Sequence, residues 1–196
     1  MKKNSIILIS IAGVLIILIL WGISTYNGLV VLQEKVNSQW ANVESQYQRR
    51  SDLIPNLVNT VKGYAQHESS TLEGVVAARA KATQVTIDPE KLTPEKLQEY
   101  QAAQGQVSSA LGKLLMITEN YPDLKANQNF LDLQSQLEGT ENRISVERGR
   151  FNEVAQEYNT RLLRFPTNII AGFSGFSKKP YFEAAKGTEV APTVKF

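Results

Sequence analysis

The chain has a single histidine, His67, and Glu68 follows it directly in Lys62-Gly63-Tyr64-Ala65-Gln66-His67-Glu68. A helical zinc or general-base site would need further ligands at helical spacing, as in H-E-x-x-H. None stands there, so a surface or capping role is expected for the pair. Glu119, Asp123, Glu138 and Glu141 supply carboxylates, and paired carboxylates can cleave glycosides. Here they are scattered along amphipathic stretches without a pocket-forming loop, which fits solvated helix faces. Arg143, Arg148 and Arg150 stand near Glu141, Glu147 and Glu153, at spacings that give ordinary surface ion pairs. Arg49-Arg50 could meet lipid headgroups or nucleic acid, but both lie in a mixed-charge stretch. A solvated face or an intrahelical pair is the expectation for them. The chain has no cysteine, which excludes thiolate catalysis, disulfides, iron–sulfur clusters and cysteine-ligated zinc. It also lacks a Gly-rich phosphate loop, a G-x-S-x-G elbow and EF-hand spacing. Aromatic stripes could line a cofactor cavity, but a helical core accounts for them without one. No catalytic, cofactor-binding or metal-ligating residue is assigned, no cofactor is implied, and the chain is expected not to be an enzyme.

The 196 residues suffice for one domain and an anchor. Lys and Arg number 21 against 19 Asp and Glu, too even a balance for the concentrated basic face of a nucleic-acid binder. Residues Ile6 to Ile23 carry no charge and one polar side chain, Ser10. At about 1.5 Å per residue they reach roughly 27 Å, close to the hydrocarbon thickness of a bilayer. Trp21 and Tyr26 fall where aromatic rings favour the membrane–water interface. A cleaved signal peptide is the competing reading, but the apolar run is longer than a usual signal core and Gly22-Ile23-Ser24 is a weak cleavage site. Lys2 and Lys3 precede the span, and only Lys35 follows within the next twenty residues. The charge bias places residues 1–5 in the cytoplasm and the rest outside, periplasmic or extracellular, on an inner-membrane anchor at 6–23.

Beyond the anchor the apolar residues recur in steps of three and four, the mark of a helical stripe. Leu29, Leu32, Val36, Val43 and Tyr47 lead through Ile54, Leu57 and Val61 to Val75. A second run holds Leu97, Tyr100, Val107, Leu111 and Leu114, and a third holds Phe130, Leu133, Leu137, Ile144, Phe151, Val154 and Tyr158. Period-two alternation is absent, so an all-α fold is expected: an antiparallel bundle of long helices, four-helix in type, preceded by one transmembrane helix. Asp88-Pro89-Glu90 and Thr93-Pro94-Glu95 each place a capping oxygen before a first-turn proline. Tyr121-Pro122-Asp123 and Arg164-Phe165-Pro166 mark further breaks. Pro55 falls inside the first stripe, which keeps its phase across it, so a kinked continuous helix is expected there. Helices at 27–82, 94–119 and 123–163 follow, with a helical body over 24–176 and an irregular tail at 177–196. The second of these helices is too short to cover the first. The membrane-proximal stripe Leu29, Leu32, Val36, Trp40, Val43 and Tyr47 would then lack a partner in its own chain, and exposed stripes of that size mark interfaces. Self-association through it, in the manner of a coiled coil, is the expectation. Phe165 to Phe176 reads as a short helix across the end of the bundle, with insertion into the bilayer interface as the alternative. The tail is expected either to be disordered or to lie along the bundle as a strap, with Tyr181, Phe182 and Phe196 docking.

The arrangement resembles the LemA family of bacterial membrane-anchored helical proteins. The resemblance starts at Tyr26-Asn27-Gly28-Leu29-Val30 and continues through Trp40, Val43 and Gln46 to Arg50-Ser51-Asp52-Leu53-Ile54-Pro55-Asn56-Leu57-Val58. It then takes in Val61-Lys62-Gly63-Tyr64-Ala65, His67-Glu68, Glu119-Asn120-Tyr121-Pro122-Asp123-Leu124-Lys125-Ala126 and Glu141-Asn142-Arg143-Ile144. Tyr158-Asn159, Phe165-Pro166, Tyr181-Phe182 and Phe196 complete it. The resemblance implies a four-helix bundle on an N-terminal transmembrane helix, in a family without established catalytic residues and often found beside membrane proteases and other envelope proteins. The expected function is a non-catalytic scaffold or interaction protein of the cell envelope that self-associates. Its partners would be the lipid bilayer, other copies of itself and other membrane proteins, with no nucleic acid. A sensor or signalling adaptor acting through a membrane partner is the alternative, and an accessory factor of a membrane protease a further one.

Overall fold

The computed structural model describes residues 3–183, with side chains from residue 7 onward. Six α-helices and one 3-10 turn make up the regular structure, with no strand among the described residues: α1 (Lys3–Lys62), α2 (Ser69–Gln84), the 3-10 turn Pro89–Lys91, α3 (Pro94–Thr118), α4 (Pro122–Lys125), α5 (Gln128–Leu163) and α6 (Thr167–Ser174). The all-α bundle is as the periodicity predicts.

The apolar span and the first bundle helix are one uninterrupted helix, α1. From Ile7 to Leu20 the large apolar side chains are 51–67% exposed, all round the helix. A helix apolar on every face that buries none of them in its own chain has the character of a membrane span. At Thr25 and Leu29 burial begins, and the same helix enters the bundle core. Pro55 lies within α1, which continues past it to Lys62.

The expected helix over 27–82 is instead two. It breaks after Lys62, and Tyr64 and Ala65 both donate to the Val61 carbonyl in the closing turn (3.0 and 2.9 Å). Two long-range hydrogen bonds fix the corner. Asn127 Nδ2 donates to Tyr64 Oη (2.9 Å), and Tyr121 Oη donates to Glu68 Oε1 (3.2 Å). Stripe phase survives the break because Ala65, Leu72 and Val75 still face the core. The expected helix over 123–163 divides too. Asn127 caps a new start, its side chain accepting from Phe130 N at 3.1 Å. Asp88 and Thr93 cap as expected, accepting from Glu90 N and Lys96 N, with a proline in each first turn.

The bundle consists of two antiparallel pairs, α1 with α5 and α2 with α3, joined where α2 packs on α1. This arrangement overturns the expectation of an unpartnered stripe. Beyond the span, residues 24–62 of α1 are about 58 Å long, and the 36 residues of α5 are about 54 Å. The two helices match end to end, with Lys35 against Glu157 near the membrane and Arg50 against Glu141 further out. Leu29, Val36, Trp40, Val43 and Tyr47 are buried inside the chain, and Leu32 is partly buried against the same cluster. As it stands, that face is core and not interface. Buried residues form two clusters, a membrane-proximal one around Trp40, Phe151 and Tyr158 and a distal one around Ile54, Leu114 and Phe130.

After α5 the chain turns across a cis Phe165–Pro166 bond into α6. Gly175, at φ +77°, closes α6 and lets Phe176 N donate to the Ala171 carbonyl (3.2 Å). A left-handed residue at this position favours glycine. The turn sends residues 177–183 back along the bundle as a strap. Phe182 is buried, as the strap reading requires, whereas Tyr181 stays 37% exposed. Phe196 lies outside the described residues.

Candidate functional site

The residues of greatest chemical potential meet in two adjacent places on the bundle. The first centres on Arg50, which is 2% exposed and stands between the two apolar clusters. Its Nη1 donates to Glu141 Oε1 (2.6 Å) and Ser108 Oγ (2.7 Å). Its Nη2 donates to Gln104 Oε1 (2.6 Å) and to the Gln104 carbonyl (3.1 Å). The guanidinium also lies 5.2 Å from the centre of the Tyr47 ring, near enough for a cation–π contact. Arg50 thus ties α1 to both α3 and α5. A buried guanidinium needs such a set of acceptors, since leaving its donors unpaired would cost several kcal/mol or more. Arg50 therefore does not lie on a solvated face, and Glu141 does not serve a surface pair on its own helix. Arg49, the neighbouring position, is exposed as expected.

Beside Arg50, Tyr47 and Tyr100 meet edge to face at 5.3 Å. Burial raises the Tyr100 hydroxyl above its ordinary range, with Tyr47 and Glu44 adding to the shift. Burial raises Tyr47 as well, while Arg148 and Arg50 oppose it. Both phenols are pushed away from neutrality, the reverse of what a general acid or base requires. A small cleft of about 150 Å³ opens next to them, lined in part by Glu44, Ser51, Arg79 and Gln104.

The second place is the groove that holds the strap. Asn152 and Asn159 stand two turns apart on α5, each directly after an aromatic core residue. Asn159 Nδ2 donates to the Lys179 carbonyl (2.8 Å), and Lys179 N donates back to Asn159 Oδ1 (2.9 Å). Asn152 repeats the exchange with Phe182, at 2.9 and 2.8 Å. Two amides thus read the backbone of an extended segment, as a neighbouring strand would. Phe182 fills the space between, stacked on Trp40 at 5.9 Å and edge-on to Phe151 at 5.3 Å. Arg148 covers its outer face at 4.8 Å. Lys179 Nζ reaches across to the carbonyls of Pro89 (2.7 Å) and Glu90 (3.1 Å), joining the strap to the α2–α3 connector. Burial lowers the pKa of Lys179, partly offset by Glu90 and Asp88.

Other sequence candidates stay apart. His67, Glu119, Asp123 and Glu138 are exposed. Glu147 pairs with Arg150 at 2.7 Å, as helical spacing predicts. Among the described residues no three His, Asp or Glu side chains converge as metal ligands. An open trough of about 840 Å³ lies at the α1–α2 end of the molecule, lined by Val58, Leu72, Val76 and Ala77 among others. The apolar periodicity marks neither Asn152 nor Lys179, and Asn159 enters only through the family resemblance at Tyr158-Asn159. The usable signal was an asparagine following Phe151 and again following Tyr158, at the seven-residue interval of the stripe itself.

Taken together, fold and site define a helical bundle built on an N-terminal apolar helix, with its conspicuous charged and amide side chains committed to internal contacts. The LemA family model matches residues 39–196, and the chain belongs to the LemA family. Two magnetosome proteins of Paramagnetospirillum magneticum, MamQ 1 and MamQ 2, are each 28% identical to it over 177 residues, covering 81% of this chain and 64% of theirs. The magnetosome protein MamQ of Magnetospirillum gryphiswaldense is 26% identical over 80% of this chain and 64% of its own. Protein LemA of Metamycoplasma hominis is 26% identical over 74% of this chain and 63% of its own. The chain spans just under two thirds of the length of these relatives.

Proposed function

We propose that this LemA-family protein is a non-catalytic, membrane-anchored scaffold or interaction protein of the bacterial cell envelope. The observation that carries the reading is the use made of its polar residues. Arg50, Asn152, Asn159 and Lys179, which elsewhere could bind ligand or substrate, are each satisfied by contacts within the chain. What they create is a stiff bundle continuous with its anchor. The anchor lies in the cytoplasmic membrane with the short N-terminus inside, following the lysine bias at Lys2 and Lys3. Association with further copies or with other membrane proteins would use faces outside the buried Leu29–Tyr47 stripe. The relatives named as magnetosome proteins are compatible with a scaffold. A second reading, a signalling adaptor, draws support from the continuity of α1, since a helix without a break passes displacement on from the span to the bundle.

Protease treatment of intact spheroplasts, against a permeabilised control and followed by crosslinking, tests the proposal. Digestion of the bundle without permeabilisation and a crosslinked ladder are expected. Protection would reverse the topology, and a single heterologous band would favour the adaptor over the scaffold.

A further inference from the structure

In α6 the usual distribution of side chains is inverted. A helix at the edge of a bundle ordinarily turns its large apolar residues inward. Here Thr167 and Ala171 are the buried residues. Ile169 and Phe173 lie on the opposite side and are 46% and 90% exposed, and Phe165, just before the helix, is 75% exposed. At about 100° per residue, Ile169 and Phe173 share one face and point away from the Thr167–Ala171 face. Such a face is costly in water.

The position of α6 indicates what covers that face. It packs beside α1 where the apolar span ends. Ile170 Cδ1 comes within 3.7 Å of where a Gly22 Cβ would be, and the Phe176 ring lies 5.5 Å from that of Tyr26. The charge fits as well. From residue 158 to 182 every charged side chain is cationic. Arg161, Arg164 and Lys178 are exposed, and none of the three forms an ion pair among the described residues.

We propose that α6 is a second membrane contact: it lies in the headgroup–acyl boundary of an anionic lipid surface, with Phe165, Ile169 and Phe173 inserted and Arg161, Arg164 and Lys178 at the phosphates. Interfacial helices combine these two features, and basic residues near anionic lipid add electrostatic attraction to the apolar insertion. With the span at one end and α6 beside it, the bundle is held at two points, which restrains its tilt on the bilayer. The proposal rests on the reading of residues 6–23 as the anchor.

Because the chain has no cysteine, a nitroxide can be placed at single introduced sites in the full-length protein reconstituted into phosphatidylglycerol–phosphatidylcholine vesicles. Accessibility to oxygen and to a water-soluble nickel chelate is then read at Phe173→Cys and at Gly172→Cys, which flanks the apolar face, meets open space and keeps all three apolar side chains. Val14→Cys reports the span and Val146→Cys the aqueous phase. The expected result is an oxygen-to-nickel ratio at both α6 sites several-fold above that at Val146→Cys and below that at Val14→Cys. Omitting phosphatidylglycerol should lower the ratio. A nickel-accessible α6 beside a buried Val14→Cys would overturn the proposal alone. Shielding of both α6 sites from both reagents would assign the face to a protein contact and overturn it also. An aqueous Val14→Cys would remove the anchor reading and the proposal together. An unchanged ratio without phosphatidylglycerol would overturn the anionic-lipid part.

Discussion

Arg79 Nε donates to the backbone carbonyl of Ser51 at 2.8 Å, and that carbonyl is the one Pro55 leaves without its helical partner. In an α-helix the carbonyl of residue 51 accepts from the N–H of residue 55, and proline has none. A side chain from α2 thus takes the place of a missing main-chain donor in α1, and the helix continues past the proline to Lys62.

Replacing Arg79 with methionine should therefore destabilise the bundle by about 1–3 kcal/mol, the range for stranding a buried acceptor. The same substitution beside Pro55→Ala should cost clearly less, because the alanine restores an N–H to the Ser51 carbonyl. Urea unfolding of the four proteins of this cycle measures the coupling. Equal losses on both backgrounds would mean that Arg79 acts through packing alone.

The Arg50–Glu141 pair is unequal in exposure, with side chains 2% and 43% exposed. Glu141→Leu strands a charge that has no route to water. Arg50→Met leaves behind a carboxylate that can hydrate. The glutamate substitution should be the more damaging of the two, by about 3 kcal/mol in total loss, and the double substitution should recover part of that loss. If Arg50→Met were the worse variant, the hydrogen bonds to Gln104 and Ser108 would outweigh the ion pair.

What could be read from the sequence follows from what periodicity encodes. Apolar spacing reports which face of a helix is buried, and it did so for Leu29 through Tyr47, for Leu97 through Leu114 and for Phe130 through Tyr158. It does not report what buries the face. Comparing the first helix with the second leaves the stripe unpartnered, whereas its partner is α5, a helix of matching length that the chain reaches only after α2, α3 and α4. Nor does phase report continuity. The stripe runs unbroken over both Pro55 and Gly63, yet the helix survives the proline and ends at the glycine. The difference is tertiary: Arg79 rescues the first position, while Tyr64 and Glu68 are held by Asn127 and Tyr121 at the second. Arg50 reads as a solvated residue because a charge in a mixed-charge stretch looks solvated until its acceptors on α3 and α5 are in view. The strap's side-chain pattern was legible in its aromatics, and its recognition by Asn152 and Asn159 was not.

Asn159 makes hydrogen bonds to both sides of Lys179 and to Tyr181, so Asn159→Ala should free one end of the strap, and Phe182→Ala the other. For the latter, loss of a buried phenyl ring implies about 3–5 kcal/mol. Trypsin provides a local readout. Lys178 is exposed but lies in the bound segment, and Pro180 protects the bond after Lys179. Cleavage after Lys178 should be slow in the parent chain and much faster in either variant, at temperatures where the bundle remains helical. Rapid cleavage of the parent would show that the strap is not held.

Alkaline pH should weaken the fold, and the sign follows from the tyrosines. Burial raises the Tyr158 hydroxyl from 10.0 to about 12. Between these values the unfolded chain has lost the proton and the folded chain retains it, so stability is full below pH 10 and falls as the pH rises towards 12. Tyr47 and Tyr100, raised by the same cause, act in the same direction. Lys179 acts in the opposite one. Its folded pKa is depressed below 10.5, so the unfolded chain holds the extra proton and stability rises with pH up to 10.5. Above pH 10.5 the lysine has no further effect, and the loss from the phenols is what remains. Tyr158→Phe isolates one contribution. Near neutrality it forfeits the hydrogen bond to the Ser177 carbonyl (3.0 Å), about 1 kcal/mol. From pH 10 to 12 it should lose less stability than the parent, by on the order of 2 kcal/mol, so that the two stability curves approach and then cross. Parallel curves in urea unfolding across that interval would mean that the folded chain leaves the Tyr158 hydroxyl open to water.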